Sequence, residues 1–405
     1  MSNAEQIANV VPQVPATRRG VLGFLRLRSG AAEARTVLIS RRVAAIDAAR
    51  GAAMVFMFLS HFAEIYFPRS GITGLLPGVY RVSMLASPLF MIISGMMLGY
   101  IYGRARADFS QVRTAYIRRG LYLLTIVHVA ILLAHIPMAG SFLDALQWGF
   151  ITDTIGICMI LGVLIVDRVD MRMRVWMGGT LYLASTAATI LWQPGSLPIL
   201  VIKDMFVGEA YGKGAFAEFF AIVPWFSLYL AASGLGEKMS RAVTAEEQES
   251  FVRRLTKIGL ISVSLAIALL FAGRYVASNV GGTVADVLRY LCSPSSKRPP
   301  LIDYFLTYGG LGLLVLATLL TWGRAGKVKW VIRSMGVFGR TPIIMFILQY
   351  YLYYVGLRAL NLPYSSLWPL LFLGTAGVMF GVAWVWDYYR LNRLLKIPRL
   401  SAGVG

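Results

Sequence analysis

The chain has 405 residues, of which 57% are hydrophobic and only 14% charged. Soluble domains carry roughly 25% charged residues, so this composition excludes an ordinary soluble fold and points to a bilayer. The formal net charge of +20 then reads as the Lys and Arg excess of cytoplasmic loops, not as a nucleic-acid footprint.

Residues 1–40 are rich in Ala, Val and Arg, hold no apolar signal-peptide core, and read as a flexible basic cytoplasmic leader. Beyond them lie ten apolar stretches of about the length a helix needs to cross hydrocarbon. They fall at 44–67, 82–102, 119–138, 149–166, 176–192, 216–235, 257–275, 301–322, 335–357 and 366–387. In lipid each backbone polar group has to be satisfied within its own segment, so the stretches read as helices. The expected fold class is an all-α polytopic bundle of about ten transmembrane helices. This domain spans 41–390, and residues 391–405 form a cytoplasmic tail.

Most of the 39 Lys and Arg residues fall in loops on the side of the N-terminus. That asymmetry places both termini in the cytoplasm, in a plasma (inner) membrane. Between the spans, 193–215 reads as a re-entrant or interfacial element and 237–256 as an amphipathic cytoplasmic connection. Residues 276–300 read as a long external loop ending in Ser-Lys-Arg-Pro-Pro. Cys158 in a span and Cys292 in a loop read as free thiols.

The first span carries Asp47, Arg50, His61 and Glu64 within an otherwise apolar run. Arg50 and His61 are eleven residues apart, so they share a helix face, roughly 16 Å apart along the axis. Asp47 and Glu64 lie three residues outside them on that face. A charge at membrane depth costs at least ~2.5–3.5 kcal/mol, which makes each such residue a functional candidate. The plainer reading is a set of ion pairs that fix helix packing. His61 lies deeper, and imidazole suits general-base work near neutral pH.

His128 and His135 are seven apart and share a face of the third span. They lack the company of ligands at metal-binding spacing. A helix–helix hydrogen bond, or a secondary place in a polar cavity, is expected there in preference to a metal. Arg340 lies inside a span and needs a partner, which an active cavity would supply. No phosphate-loop, Gly-x-Gly-x-x-Gly or Gly-x-Ser-x-Gly pattern occurs.

The run Asp47-Ala48-Ala49-Arg50-Gly51 followed by His61 resembles the opening helix of the transmembrane acyltransferase superfamily. Acyltransferase-3 proteins and periplasmic glucan succinyltransferases belong to it. Ser87-Pro88-Leu89-Phe90 running to Ser94-Gly95 resembles that superfamily's second helix. Val223-Pro224-Trp225, Lys297-Arg298-Pro299-Pro300-Leu301 and Phe338-Gly339-Arg340-Thr341-Pro342 are similar, in order, to motifs of its heparan-α-glucosaminide N-acetyltransferase-like branch. The chain departs from the pattern at Gln349, where a His is frequent. It also has no His in 69–81, where the animal enzymes place one, which shifts weight onto His61.

The resemblance implies acyl transfer, acetyl transfer above all, from a cytoplasmic acyl-CoA (acetyl-CoA) to a glycan or glycolipid hydroxyl or amine. Acyl-CoA is then a co-substrate, with no metal and no permanently bound cofactor. On this reading His61 is the general base, Arg50 orients it or binds the donor, and Asp47 pairs with Arg50. Arg118, Arg119, Arg104 and Arg340 bind the donor; Lys297, Arg298 and Glu64 bind the acceptor. Direct transfer and a transient acyl-His are both open. The expected partners are membrane lipid, acyl-CoA and the acceptor, with a homodimer allowed and no nucleic acid. A transporter or flippase is the competing class, since it too places charge near the midplane. The ordered motifs, and the lack of broken-helix pairs in the pattern, favour the enzyme. A catalytically dead sensor is a third reading.

Overall fold

The computed structural model describes residues 43–68, 75–106, 109–139, 142–145, 148–209, 220–292, 297–326 and 328–393. The expected 1–40 leader and most of the 391–405 tail lie outside these residues. Among the described residues the elements are helical, apart from an isolated antiparallel bridge between Lys297 and Pro300. The molecule is an all-α polytopic bundle.

In chain order, α1 is Ala44–Tyr66, α2 Leu76–Ser83 and α3 Ala86–Arg104. α4 (Phe109–Tyr122) runs through a π-helical stretch, Leu123–Val127, into α5 (His128–Ala139). The short α6 (Phe142–Ala145) precedes α7 (Ile151–Ile165), α8 (Met171–Leu191) and α9 (Leu197–Phe206). α10 is Ile222–Arg241, α11 Ala245–Asn279 and α12 Gly282–Leu291. α13 (Ile302–Tyr304) continues through the π stretch Phe305–Gly309 into α14 (Gly310–Ala325). α15 (Lys329–Arg340), α16 (Pro342–Tyr350) with the π stretch Tyr351–Leu357, and α17 (Trp368–Tyr388) complete the bundle.

Each of the ten apolar stretches overlaps helix among the described residues, that at 335–357 being two helices. By length and composition alone, five helices are able to cross a membrane, or six with one bent pair counted as a span. α1, α8 and α10 are long too, but Asp47, Arg50, Arg172, Arg174 and Glu237 interrupt their apolar runs.

Three connections contain helix. The expected amphipathic connection at 237–256 is helical on both sides of a short turn: α10 runs to Arg241, and α11 begins at Ala245. The Thr244 hydroxyl accepts from Glu247 N–H, and the Glu247 carboxylate accepts from Thr244 N–H, a capping box that fixes this start. The 276–300 loop contains α12, and the 193–215 segment contains α9. The late apolar run does hold a broken helix. α15 and α16 meet at Thr341 with a bend of 76°, because Pro342 offers no N–H and clashes with the preceding turn.

Burial sorts the helices. The apolar window of α3 is 78% buried, against 17% for α11 and 11% for α17. α3 is therefore central, and α11 and α17 are peripheral, presenting residues such as Ile261, Phe271, Leu370 and Leu373 outward. In a bilayer such faces meet lipid. Helix association there rests on close backbone packing at small residues. A Cβ on Gly99 of α3 would stand 1.8 Å from the Ser233 carbonyl oxygen of α10, and one on Gly236 equally near that of Met96. α1 and α15 interlock the same way: Gly51 lies on the Met335 carbonyl, and Gly339 on that of Asp47. These contacts set α1 against the broken helix.

A histidine-lined cavity and a layer of ion pairs

The C-terminal half of α1, the start of α3, α5, the approach to α7, the 297–300 loop and the α16 segment enclose one cavity. Its volume is about 60 Å³. A water needs roughly 10–15 Å³ on this measure, so the cavity has room for several waters or for reacting groups. His61, Glu64, His135, Lys297, Arg298, Tyr350 and Tyr354 supply its polar lining, with Ser60, Ser83 and Ser87. Trp148, Phe150 and Phe220 give it aromatic walls.

α1 presents His61 and Glu64 on one face, as their spacing of three dictates. The His61 ring lies 4.8 Å from Tyr350 and 5.5 Å from Tyr354. Its buried Nδ1 has no hydrogen-bond partner. Glu64 accepts a hydrogen bond of 2.7 Å from the Tyr354 hydroxyl, which ties α1 to the π stretch after α16. Gln349 is fully buried beside His61. Buried polar atoms are nearly always paired, so an unpaired imidazole nitrogen beside a cavity is placed to meet a ligand.

The loop that brings Lys297 and Arg298 to the cavity is held on several sides. The Tyr182 hydroxyl donates to the Pro300 carbonyl at 3.2 Å. Pro299 packs on Gly208, whose φ of 99° and close contact, 2.5 Å from a notional Cβ, leave room only for glycine. The Arg298 guanidinium sits 5.8 Å from the Phe220 ring, and the Thr154 hydroxyl holds the Phe220 carbonyl at 2.8 Å.

The two α5 histidines divide. His128 Nδ1 meets Asp153 Oδ2 of α7 at 3.0 Å, a helix–helix bond. His135 lines the cavity. Among the described residues no cluster of three or more His, Cys, Asp or Glu side chains could hold a metal ion.

The remaining candidates lie toward the other end of α1. Arg50 Nη1 bonds Asp47 at 3.1 Å and the Gly339 carbonyl at 2.9 Å, so it pins the last turn before the helix break. Arg340 finds its partner outside the cavity: Asp387 of α17, at 2.7 Å and 2.9 Å. That corrects the expectation that the cavity would supply it, and the reason is the 76° bend, which turns Arg340 toward α17. Arg119 stands within electrostatic reach of Arg50 and Tyr116, whose buried hydroxyl has no partner. Arg118 is exposed, and the exposed Arg104 lies over the Tyr100 ring at 5.3 Å. The same end holds ion pairs the sequence did not single out. Glu237 of α10 takes guanidinium hydrogen bonds from the fully buried Arg174, from Arg106 at 2.6 Å and from Arg241 at 2.5 Å. Arg113 pairs with Asp167.

A membrane-embedded helix bundle around a polar, histidine-bearing cavity is the architecture of an intramembrane group-transfer protein. A profile of the family described as heparan-alpha-glucosaminide N-acetyltransferase, catalytic, matches residues 42–271. That is more than half of the chain, and the chain belongs to this family of membrane acetyltransferases. The matched segment includes His61, Glu64, Arg119 and His135, while Lys297, Arg298 and Tyr354 lie beyond it. No curated protein sequence matches the chain.

Proposed function

We propose that the protein moves an acyl group, most simply acetyl, from cytoplasmic acyl-CoA to a hydroxyl or amine of a glycan or glycolipid at the opposite face. The observation that carries this reading is the company His61 keeps. The residues expected to bind the acceptor, Lys297, Arg298 and Glu64, line the same cavity as His61. His61 Nε2 or Nδ1 takes the acceptor's proton as the acceptor attacks the thioester carbonyl. Lys297 and Arg298 hold the acceptor and favour the developing oxyanion.

The donor enters from the other end. Arg119, with Arg50 and the unpartnered Tyr116 hydroxyl, offers cationic and donor groups for its phosphates. Arg50 and His61 lie about three turns apart, roughly 16 Å, a distance suited to the long pantetheine arm. Arg104 and Arg118 extend the basic surface at the entrance. Arg340, held by Asp387, keeps the broken helix in place. On this reading both termini lie in the cytoplasm and the membrane is the plasma (inner) membrane.

The test is purified protein in lipid nanodiscs with labelled acetyl-CoA and a panel of glycans and glycolipids. Label should pass to an acceptor, and His61→Ala should stop it. The 76° break in α15–α16 is the one feature that favours a transporter or flippase, whose sites form at broken helices. Substrate uptake by proteoliposomes without any acyl transfer would decide for that class.

A further inference from the structure

The geometry points to His135 as a second catalytic residue: its Nε2 is a proton acceptor, and the acceptor's proton is held by the His61–His135 pair until the departing CoA thiolate takes it. This rests on the acyl-transfer reading and goes beyond it by giving the site two bases.

The argument starts from the tautomer. His135 Nδ1 lies 3.2 Å from the Ile131 carbonyl oxygen, one turn back on α5. A carbonyl oxygen only accepts, so Nδ1 carries the hydrogen. In the neutral ring the lone pair is then on Nε2, the one position left to take a proton. The ring is also fixed in orientation. It lies 4.9 Å from Trp148, 4.8 Å from Phe150, 4.8 Å from Tyr350 and 4.6 Å from Tyr354. A side chain packed on four aromatic rings and anchored by its own backbone loses little freedom when it reacts.

The second strand is position. Tyr350 and Tyr354 contact both imidazoles, so the two histidines, from α5 and α1, flank one tyrosine pair. Both line the cavity, together with Glu64, Lys297 and Arg298. Two like charges close together in a buried cavity are mutually unfavourable, so the pair takes up at most one proton during transfer. One is what the chemistry requires. The acceptor's O–H or N–H bond breaks as its heteroatom bonds the acyl carbon. The C–S bond then breaks with its electron pair on sulfur, and the stored proton forms the S–H of CoA. Both imidazoles end neutral.

The experiment is His135→Asn in nanodiscs, assayed for acetyl transfer beside wild type and His61→Ala. Asn sets an amide N–H where Nδ1 stands, so the bond to Ile131 is kept and Nε2 is deleted. The expected result is kcat lower by about 100-fold with KM for acetyl-CoA and melting temperature unchanged. Wild-type kcat in His135→Asn would overturn the role, leaving His135 as a packing group. If His135→Asn does not fold, His135→Gln replaces it, with the same two outcomes. Wild-type protein that transfers nothing would overturn the acyl-transfer reading and this role with it. Transfer that needs His61 but ignores position 135 would overturn the role alone.

Discussion

The two ends of α1 treat polar groups in opposite ways. Around Arg50 most charges stand in ion pairs: Arg50 with Asp47 and the Gly339 carbonyl, Arg340 with Asp387, Arg113 with Asp167, and three arginines with Glu237, while Arg119 faces Arg50 and the unpartnered Tyr116 hydroxyl. Around His61 they are gathered on one cavity. His61 Nδ1 lacks a partner, and His61, Glu64, Lys297 and Arg298 line a shared cavity. A charge at membrane depth is therefore not by itself a sign of chemistry. Its placement decides: ion pairs between helices hold the bundle together, and groups lining a void are placed to meet a ligand.

The sharpest way to break this comparison is to delete one group from each end. His61→Ala should reduce acetyl transfer by about 10²- to 10⁴-fold while the protein elutes and melts as wild type. A variant that loses its fold instead would place His61 with the structural pairs. Glu237→Ala should do the reverse. It leaves Arg174 buried without its counter-charge, and removing one partner of a buried pair costs about 3–5 kcal/mol. Its thermal midpoint in detergent should fall sharply, with transfer per folded molecule retained.

Much of this division could be read in the sequence, and some could not. The ten apolar stretches find their helices because hydrophobic length is a local property. His61 and Glu64 on one face follow from helical spacing alone. The partners did not follow, because they depend on tertiary placement. Nothing local tells that Arg340 meets Asp387, 47 residues on, or that Glu237 gathers Arg106 and Arg174 from other helices. The break at Thr341–Pro342 had a local signal in Pro342, yet it reads as one span because hydropathy continues across it. Tyr350 and Tyr354 stand four apart, a spacing that marks a face. Which face became clear only once α5 lay against it. The start of α11 was there to be seen in Thr244 and Glu247, three apart.

Smaller effects sharpen the line between donor and surface arginines. Arg119→Ala should raise KM for acetyl-CoA about tenfold, the loss of one charge-assisted contact of about 1.4 kcal/mol, with kcat little changed. A steady-state titration of acetyl-CoA reads it. Arg104→Ala should change neither constant measurably, since the exposed guanidinium lies on its own helix over Tyr100 and single surface contacts contribute about 0–1 kcal/mol. Equal effects from the two would show that the basic surface binds the donor diffusely.

The most direct test of the account is a structure of the protein with a non-transferable acetyl-CoA analogue, in which a methylene replaces the thioester sulfur. The account predicts phosphate density beside Arg119, Arg50 and Tyr116, with the acyl carbonyl inside the cavity next to His61 and His135. Ligand confined to the surface arginines, or an acyl end directed away from His61, would contradict it.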